Sequence, residues 1–548
     1  MKHSIIRGAA ALAAVAAVSL SIAACSPSSS GGGSVGNGKF VAFGPQGDNG
    51  SLNDNAFTKE MAKKFDLKFD WQTTTYDGSV AGEKRQVSLA SGDYPDAYFL
   101  VPWVDAFSRG EIIKYGQQGV LLPLEDLIDK YAPHLKKRFE EKPDWKQSVV
   151  APDGHIYAIT QWSECTHCSA PSKLWMNSAW LKKLGLKQPT TTDELVTVLR
   201  AFKNDDPNGN GKQDEIPLSG SVSEPIINYF MNAFTYAPYS SPNTPAPMVM
   251  DHGKVKLAAT TDKWREGLAF MASLAKEGLL DKAAFTQNGD ALKAIGDNAG
   301  AEILGSAVTL HPYVFVTADS PDGRDKNYDA VAPLTGPDGT QLATYRSPVS
   351  PLGMFALTNK STEDERIKAI KMLDYIVTDE GTKRAAMGIE GKAWVPAAAG
   401  DVALDPKMKP TFKPLPYDET SNSAWRSLGQ YWDSLEFRNA QVVPEDVYTP
   451  AGYERRLWNA TAEYSPHFPS KDVLFPSEKL WPDLSTASQL ADLQTNIATY
   501  VTQAEAEFIS GQRDINDDAA WAAYKKDIDG LGLSDYLKME QKAYDAIK

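Results

Sequence analysis

Cysteine is scarce in this chain: three residues in 548. Cys25 stands alone near the start, and Cys165 and Cys168 form the run CTHC. No second CxxC and no HxxxH accompanies that pair, so a four-ligand zinc site has only His167 to add. Outside the cytoplasm the pair reads most simply as a short-loop disulfide; two free thiols, zinc or thioredoxin-like redox work are the alternatives.

Positive charge is also in deficit. The formal net charge of −14 counts against nucleic acid or an anionic lipid surface as partner, and against a polyanionic ligand unless a basic patch forms locally. Long apolar runs are missing after the N-terminus, so no later segment is expected to span a bilayer. There is no internal repeat and no Pro/Gly linker after residue 38, which excludes domains strung like beads.

What the N-terminus does contain fixes a compartment. Lys2 and Arg7 precede an apolar stretch from Ala9 to Ala24, too short and Ala-rich for a spanning helix but suited to a signal peptide. It ends Ser21-Ile22-Ala23-Ala24-Cys25, a lipobox that would place a diacylglycerol on the Cys25 thiol; a Sec signal with an incidental cysteine is the bland alternative. The following SPSSSGGGSVGNG has no apolar face and composes a flexible tether. The expected layout is signal peptide 1–24, lipidated Cys25 and tether 25–38, and a folded body 39–548 on the extracellular face of a bacterial cell membrane.

Within the body, NDDPNGNGKQDE (204–215) packs side-chain oxygens at alternate positions. A Ca²⁺ loop needs oxygens at positions 1, 3 and 5, a glycine at 6, a carbonyl at 7 and carboxylates beyond. Counting from Asp206, this sequence supplies Asn208, Asn210, Gly211, the Lys212 carbonyl and Asp214; the usual Glu at position 12 is Pro217, with Glu215 the nearest substitute. A metal-free Asx-rich turn is the alternative.

From Lys39 the pattern is strand, helix, strand, helix, strand. KFVAFG precedes a helix with Phe57, Met61 and Phe65 four apart; LKFDWQTTTY alternates; VAGEKRQVSLASG stops at Gly92; DYPDAYFLVPW gives the third strand. Such parallel units hold ligands at their carboxyl ends, which would put Asp48, Asn49 and Trp103 on a crevice. The second half is richer in amphipathic helices, so the fold class is α/β with a helix-rich second half. The 13 Trp and 22 Tyr are generous for gripping the apolar faces of sugar rings, although most large rings are core residues.

The phrases LASGDYPDAYFL, GVLLPLEDLIDKYAPH, APDGHIYAIT, LWMNSAWLKKLGLKQPTTTDELVTVLRAFKNDDPNGNGKQDEIPL, KEGLLDKAAFTQ, GIEGKAW and FISGQRDINDDAAWAAYKKDIDGLGLSDYLKMEQKAYD resemble, in this order, the larger extracellular solute-binding lipoproteins of ABC importers. They are most similar to the oligosaccharide- and polysaccharide-binding branch with an EF-hand-like calcium loop. The resemblance implies two α/β lobes that close on a sugar, a permease as partner, and Asp206, Asn208, Asn210, Lys212, Asp214 and Glu215 as calcium ligands. The lobes are expected at about 39–160 plus a segment near 310–400, and about 161–309 plus much of 401–548. Candidate sugar contacts are Trp162, Trp103, Trp394, Trp432 and Trp425, with Asp48, Asn49 and Glu390 as polar ones. The reading is binding rather than catalysis. A cell-anchored glycoside hydrolase, which needs two carboxylates about 5 to 9.5 Å apart, is the rival, and an adhesive or signalling lipoprotein the third.

Overall fold

The computed structural model describes residues 38–47, 50–240, 246–416 and 421–548. The expectations for the signal peptide, Cys25, the tether to residue 37, Asp48 and Asn49 lie outside these. Among the described residues no helix is long and apolar enough to cross a membrane.

The chain opens as its hydrophobic pattern predicts: β1 (Phe40–Pro45), α1 (Ala56–Phe65), β2 (Phe69–Thr74), α2 (Gly78–Ser91) and β3 (Ala97–Phe99). Asn55 starts α1 by accepting the Phe57 and Thr58 N–H groups, and the helix buries Phe57 and Met61. Asp77 caps α2 in the same way, and Gly92, at φ 78°, ends it. The strands pair in parallel, Phe40 against Phe69 and Ala42 against Ala97. Gly44 is glycine for a reason of space: a Cβ there would stand 2.6 Å from the Phe99 carbonyl of the neighbouring strand.

Later elements are α3 (Arg109–Gln117), the two-residue β4 (Trp162–Ser163), the one-turn α4 (Thr166–Ser169), β5 (Lys173–Asn177) and α5 (Thr192–Asn204). After α6 (Asp262–Lys276) come β6 (Ser306–Thr309), β7 (Tyr328–Val331), β8 (Phe355–Leu357), β9 (Trp432–Asp433), α7 (Tyr453–Tyr464) and α8 (Ala487–Ser510). Two principal sheets result. β8 adds antiparallel to β3, giving the order β8-β3-β1-β2. β5, with all five residues buried, runs antiparallel between β6 and β7. Beyond β6 the segment 216–221 continues this second layer, with Ile216 and Ser219 bridged in parallel to Leu304 and Ala307.

Each sheet has its own core. Around the first pack side chains from 40–162 and 349–432, among them Phe57, Phe99, Leu373 and Trp425. Around the second pack those from 170–343 and 457–536, among them Trp264, Phe315, Tyr464 and Phe508. This differs from the boundaries expected from sequence. Phe315, Tyr328 and Val331 belong with the second sheet, and Trp425, Leu428 and Trp432 with the first. The return to the first core therefore falls near 344–349 and the departure from it after 432. Burial of β6 and β7 against β5, invisible to local periodicity, moves the boundary.

The chain thus passes between the cores at 163–169, 344–348 and 433–456. At the first and third passages β4 and β9 pair in parallel, Trp162 against Trp432, and Ser163 N–H donates to the Pro348 carbonyl of the second. A fourth excursion, 476–486, leaves the second core after Phe475, lays Trp481 against the first, and returns at α8.

Candidate functional site

Strand direction selects the surfaces. In open α/β sheets ligands bind beyond the carboxyl ends of parallel strands, where loops diverge. For the first sheet these are the loops after β1, β2 and β3. Two large aromatics stand in the open there, Tyr76 at 39% and Trp103 at 56% exposure. Trp103 sits at the tip of a tight turn closed by a bridge between Val101 and Asp105. Asp105 is gripped by Arg85 of α2 through two N–H groups, at 2.7 and 2.9 Å, and Arg85 reaches Glu111 of α3 at 2.9 Å. Burial alone would raise the Glu111 carboxyl, but Arg85 beside it holds it below the usual range. A bidentate, buried pair of this kind fixes a loop firmly. Trp103 is therefore an exposed ring on a rigid mount.

The other four tryptophans singled out from sequence are buried, which corrects the expectation that they offer faces to a ligand. Trp425 sits edge-on to Phe57, Trp71 and Phe99 with centroids 4.9 to 5.4 Å away, and its Nε1 donates to Thr58. Trp432 stacks on Trp145, with Arg138 over its ring. Trp162 pairs with it across β4 and β9, and Lys142 lies over its ring. Trp394 donates from Nε1 to the Gly388 carbonyl beneath Lys383. The crossing strands turn the Trp162 and Trp432 rings inward, where each has core to fill. Glu390 is exposed, on a backbone bridge to Trp394.

At the carboxyl ends of the second layer stand residues the sequence did not bring to notice. Segment 216–221 ends at Ser221, whose Oγ is buried without a partner. A short turn brings the chain back at Glu224, bridged to Ser221. Glu224 accepts the N–H of Leu310, immediately after β6, and burial pushes its carboxyl up to about 7. Next to Leu310, His311 has a buried Nδ1 without a partner. Burial, with His167 and Lys173 nearby, pushes its imidazole down to about 4. Lys173, fully buried at the start of β5, donates to the His167 carbonyl at 3.0 Å and to that of Ala170. The signals in sequence were slight: a lone His after an apolar strand, and Glu between Ser and Pro.

Between the two surfaces the first passage carries a disulfide, Cys165–Cys168, closing α4. Cys165, His167 and Cys168 are the one group of three His, Cys, Asp or Glu ligand atoms within 4.8 Å of one another among the described residues. Bonded sulfurs are not thiolate ligands, so zinc is excluded in this state. His167 donates from Nδ1 to the Glu454 carboxylate (3.0 Å), Arg438 bridges Glu454 and Asp433 (2.8 and 3.0 Å), and Ser163 donates to Asp433. Burial would raise Glu454, but Arg438 and His167 keep it ionised. This chain of ion pairs sews the first passage to the third.

The Asx-rich run forms a loop directly after α5. Asp206, Gly209 and Gly211 all take left-handed backbone, φ 46°, 74° and 74°. Asp206 turns both oxygens onto the loop's own N–H groups, Oδ1 to Gly209 and Asn210 and Oδ2 to Gly211, at 2.9 to 3.1 Å. Asn208 and Asn210 aim their amides at Asp214, and the exposed Lys212 donates its N–H to Asn210. Glu215 buries both oxygens with no partner, and burial, with Asp214 and Asp206 close by, raises its carboxyl. The three carboxylates do not converge within 4.8 Å of one another. Yet an unpartnered buried carboxylate beside two others is unstable unless protonated or matched by a cation. Turning the two Asn amides presents oxygen in place of nitrogen with no change of shape. The donor set is all oxygen and fits a hard cation such as Ca²⁺.

Comparison with known proteins agrees with this architecture. Residues 49–383 match the family of bacterial extracellular solute-binding proteins. The fructooligosaccharide ABC transporter substrate-binding protein FusA of Streptococcus pneumoniae serotype 4 is 30% identical over 509 residues, spanning 90% of this chain and 87% of its own. The structure of S. pneumoniae FusA in complex with kestose superposes with a TM-score of 0.74 at 27% identity, covering 93% of this chain and 99% of that one. The FusA EF-hand mutant in complex with fructo-nystose gives 0.71 at 27% identity over the same shares.

Proposed function

Because the chain belongs to the family of bacterial extracellular solute-binding proteins, with two lobes of the kind its structural relatives share, we propose that it captures an oligosaccharide between them and delivers it to the permease of an ABC importer. The observation that carries the sugar reading is the rigidly mounted, exposed Trp103 at the carboxyl end of the first sheet. An indole face stacks on the apolar side of a sugar ring, and polar groups on the second surface can meet its hydroxyls. A micromolar affinity corresponds to about −8 kcal/mol, within reach of a stacked ring and several hydrogen bonds after closure costs.

The role is binding without turnover. A hydrolase would need two carboxylates set across a scissile bond, and of the two buried acids near the second surface Glu454 is held in ion pairs by Arg438 and His167. Calorimetry of the purified protein against kestose and other oligosaccharides tests this: saturable one-to-one binding with no product accumulating is expected. Steady release of shorter sugars would make it an enzyme.

Two further parts of the proposal concern the anchor and the ion. Lipidation at Cys25 holds the body at the outer face of the cell membrane, since multiple acyl chains anchor stably where one does not. Cys25→Ala should move the protein from the membrane to the soluble fraction. Asp206, Asn208, Asn210, Asp214, Glu215 and the Lys212 carbonyl hold Ca²⁺, which when bound neutralises the loop's carboxylates and ties the end of α5 to segment 216–221. The fit rests on the buried, partnerless Glu215. The ion's place is at the amino end of that segment and Ser221 at the other, so its role is structural.

A further inference from the structure

We propose that Ser221, Glu224 and His311 form the subsite of the second lobe that reads the hydroxyl groups of an uncharged sugar unit; this rests on the solute-binding reading above and narrows its ligand class.

Position comes first. Segment 216–221 and β6 run side by side in parallel, and all three residues follow their carboxyl ends. They are held close by backbone: Glu224 N–H donates to the Ser221 carbonyl at 3.3 Å, and the Glu224 carboxylate takes the N–H of the residue preceding His311.

Unmet hydrogen bonding comes second. Ser221 Oγ and His311 Nδ1 are both buried and both without a partner. Folded proteins rarely leave such groups unmade, because each costs about 1 to 3 kcal/mol. Two of them, on backbone tied to the same glutamate, mark a place built for something polar that arrives from outside the chain. A serine hydroxyl and a neutral imidazole can each donate or accept, and a carboxylate only accepts. A sugar hydroxyl, donor and acceptor in one, satisfies that set.

Charge decides the class. A uronic or sulfated sugar is best met by a cation, and two cations near the trio are committed to other groups. Lys173 gives hydrogen bonds to the His167 and Ala170 carbonyls with no exposed surface, and burial pushes it down to about 7. Arg438 is divided between Asp433 and Glu454. His311, pushed down to about 4, is uncharged at neutral pH. Arg346, over Tyr239, is solvent-exposed and is the cation an acidic sugar would have to use, at a site where salt screens it. No member of the trio carries positive charge at neutral pH, and the Glu224 carboxyl, pushed up to about 7, repels an acidic sugar whenever it is ionised.

The test is calorimetry on the purified protein with a panel of neutral oligosaccharides, kestose included, and with tri-galacturonate as the acidic probe. Glu224→Gln, Ser221→Ala and His311→Gln are then titrated with the tightest neutral ligand, each with a melting curve. Wild type should bind a neutral sugar and not tri-galacturonate, and each variant should bind at least tenfold more weakly with its melting temperature within a degree or two. Variants that fold and bind like wild type would show that the trio only holds water, and the subsite fails while the importer reading stands. Preference for tri-galacturonate overturns the ligand class. Binding to no sugar of either kind removes the oligosaccharide reading and this subsite with it.

Discussion

Replacing Trp425 by alanine removes a ring that touches Phe57, Trp71 and Phe99, together with a hydrogen bond to Thr58. Loss of a core ring of this size costs about 3 to 5 kcal/mol, so the melting temperature of Trp425→Ala should fall steeply. Trp103→Ala should do the reverse: stability within about 0.5 kcal/mol of wild type, as for an exposed side chain, and sugar affinity lower by about 1 to 2 kcal/mol. Melting curves and calorimetry on the two proteins separate the cases; unchanged sugar affinity in Trp103→Ala would remove it from the binding surface. Glu505 makes a pH prediction. It is buried in α8, accepts the Trp264 indole N–H at 3.0 Å, and burial pushes its carboxyl up to about 8. The folded chain then holds a proton that the unfolded chain releases near pH 4.5, so this group's contribution is full below that pH and is lost as pH rises to about 8. Glu505→Gln keeps an acceptor for the indole without the ionisation. Its melting temperature should therefore gain on wild type progressively from pH 5 to pH 8, and a constant difference across that range would refute the assignment.

At the scale of elements, the loop after α5 is the part whose chemistry was plainest in the sequence. Alternating Asx residues and glycines at 209 and 211 specify a left-handed turn lined with oxygen, and the backbone takes that form. If the loop holds calcium, millimolar ion over a site of about 10 μM stabilises the fold by about 2.7 kcal/mol. Chelation should lower the melting temperature by several degrees without abolishing sugar binding, and Asp206→Ala should erase that response. A melting curve indifferent to EDTA, with no calcium in the purified protein, would leave only a turn. The helices α1, α2 and α5 were likewise legible, because a capping side chain and an apolar repeat act within a few residues of one another. The two-residue strands β4 and β9 were not. Their pairing joins Trp162 to Trp432, residues 270 positions apart, and no local pattern announces such a contact.

For the whole molecule, if capture closes one body on the other, the turn falls at the passages 163–169, 344–348 and 433–456. Few-residue connections absorb the backbone change in hinged closure. The excursion 476–486 adds a second tie. Lys479 pairs with Asp144 at 2.8 Å, and Arg109 stacks on Trp481 at 4.4 Å while donating to the Glu478 carbonyl. Sugar binding should reduce the radius of gyration measured by small-angle scattering, and a saturating ligand should raise the melting temperature in step with its concentration over Kd. A scattering curve identical with and without bound sugar would mean that capture does not involve closure.

Composition and local pattern by themselves determined the α/β class, the initial βαβαβ unit, the oxygen-lined loop and the family resemblance. Each depends on residues a few positions apart or on order along the chain. Only tertiary structure decided which aromatics face outward. Trp103 follows an apolar strand and Trp425 a polar Ser/Asn run, yet Arg85 and Asp105 hold the first on an open turn while three rings from distant elements enclose the second. Tertiary structure also decided the lobe boundaries and brought Ser221, Glu224 and His311 together, because β6 lies beside a segment nearly ninety residues earlier in the chain. Burial and strand pairing over such separations are properties of the packed whole, and a side chain's neighbours, more than its identity, set whether it fills a core or meets a ligand.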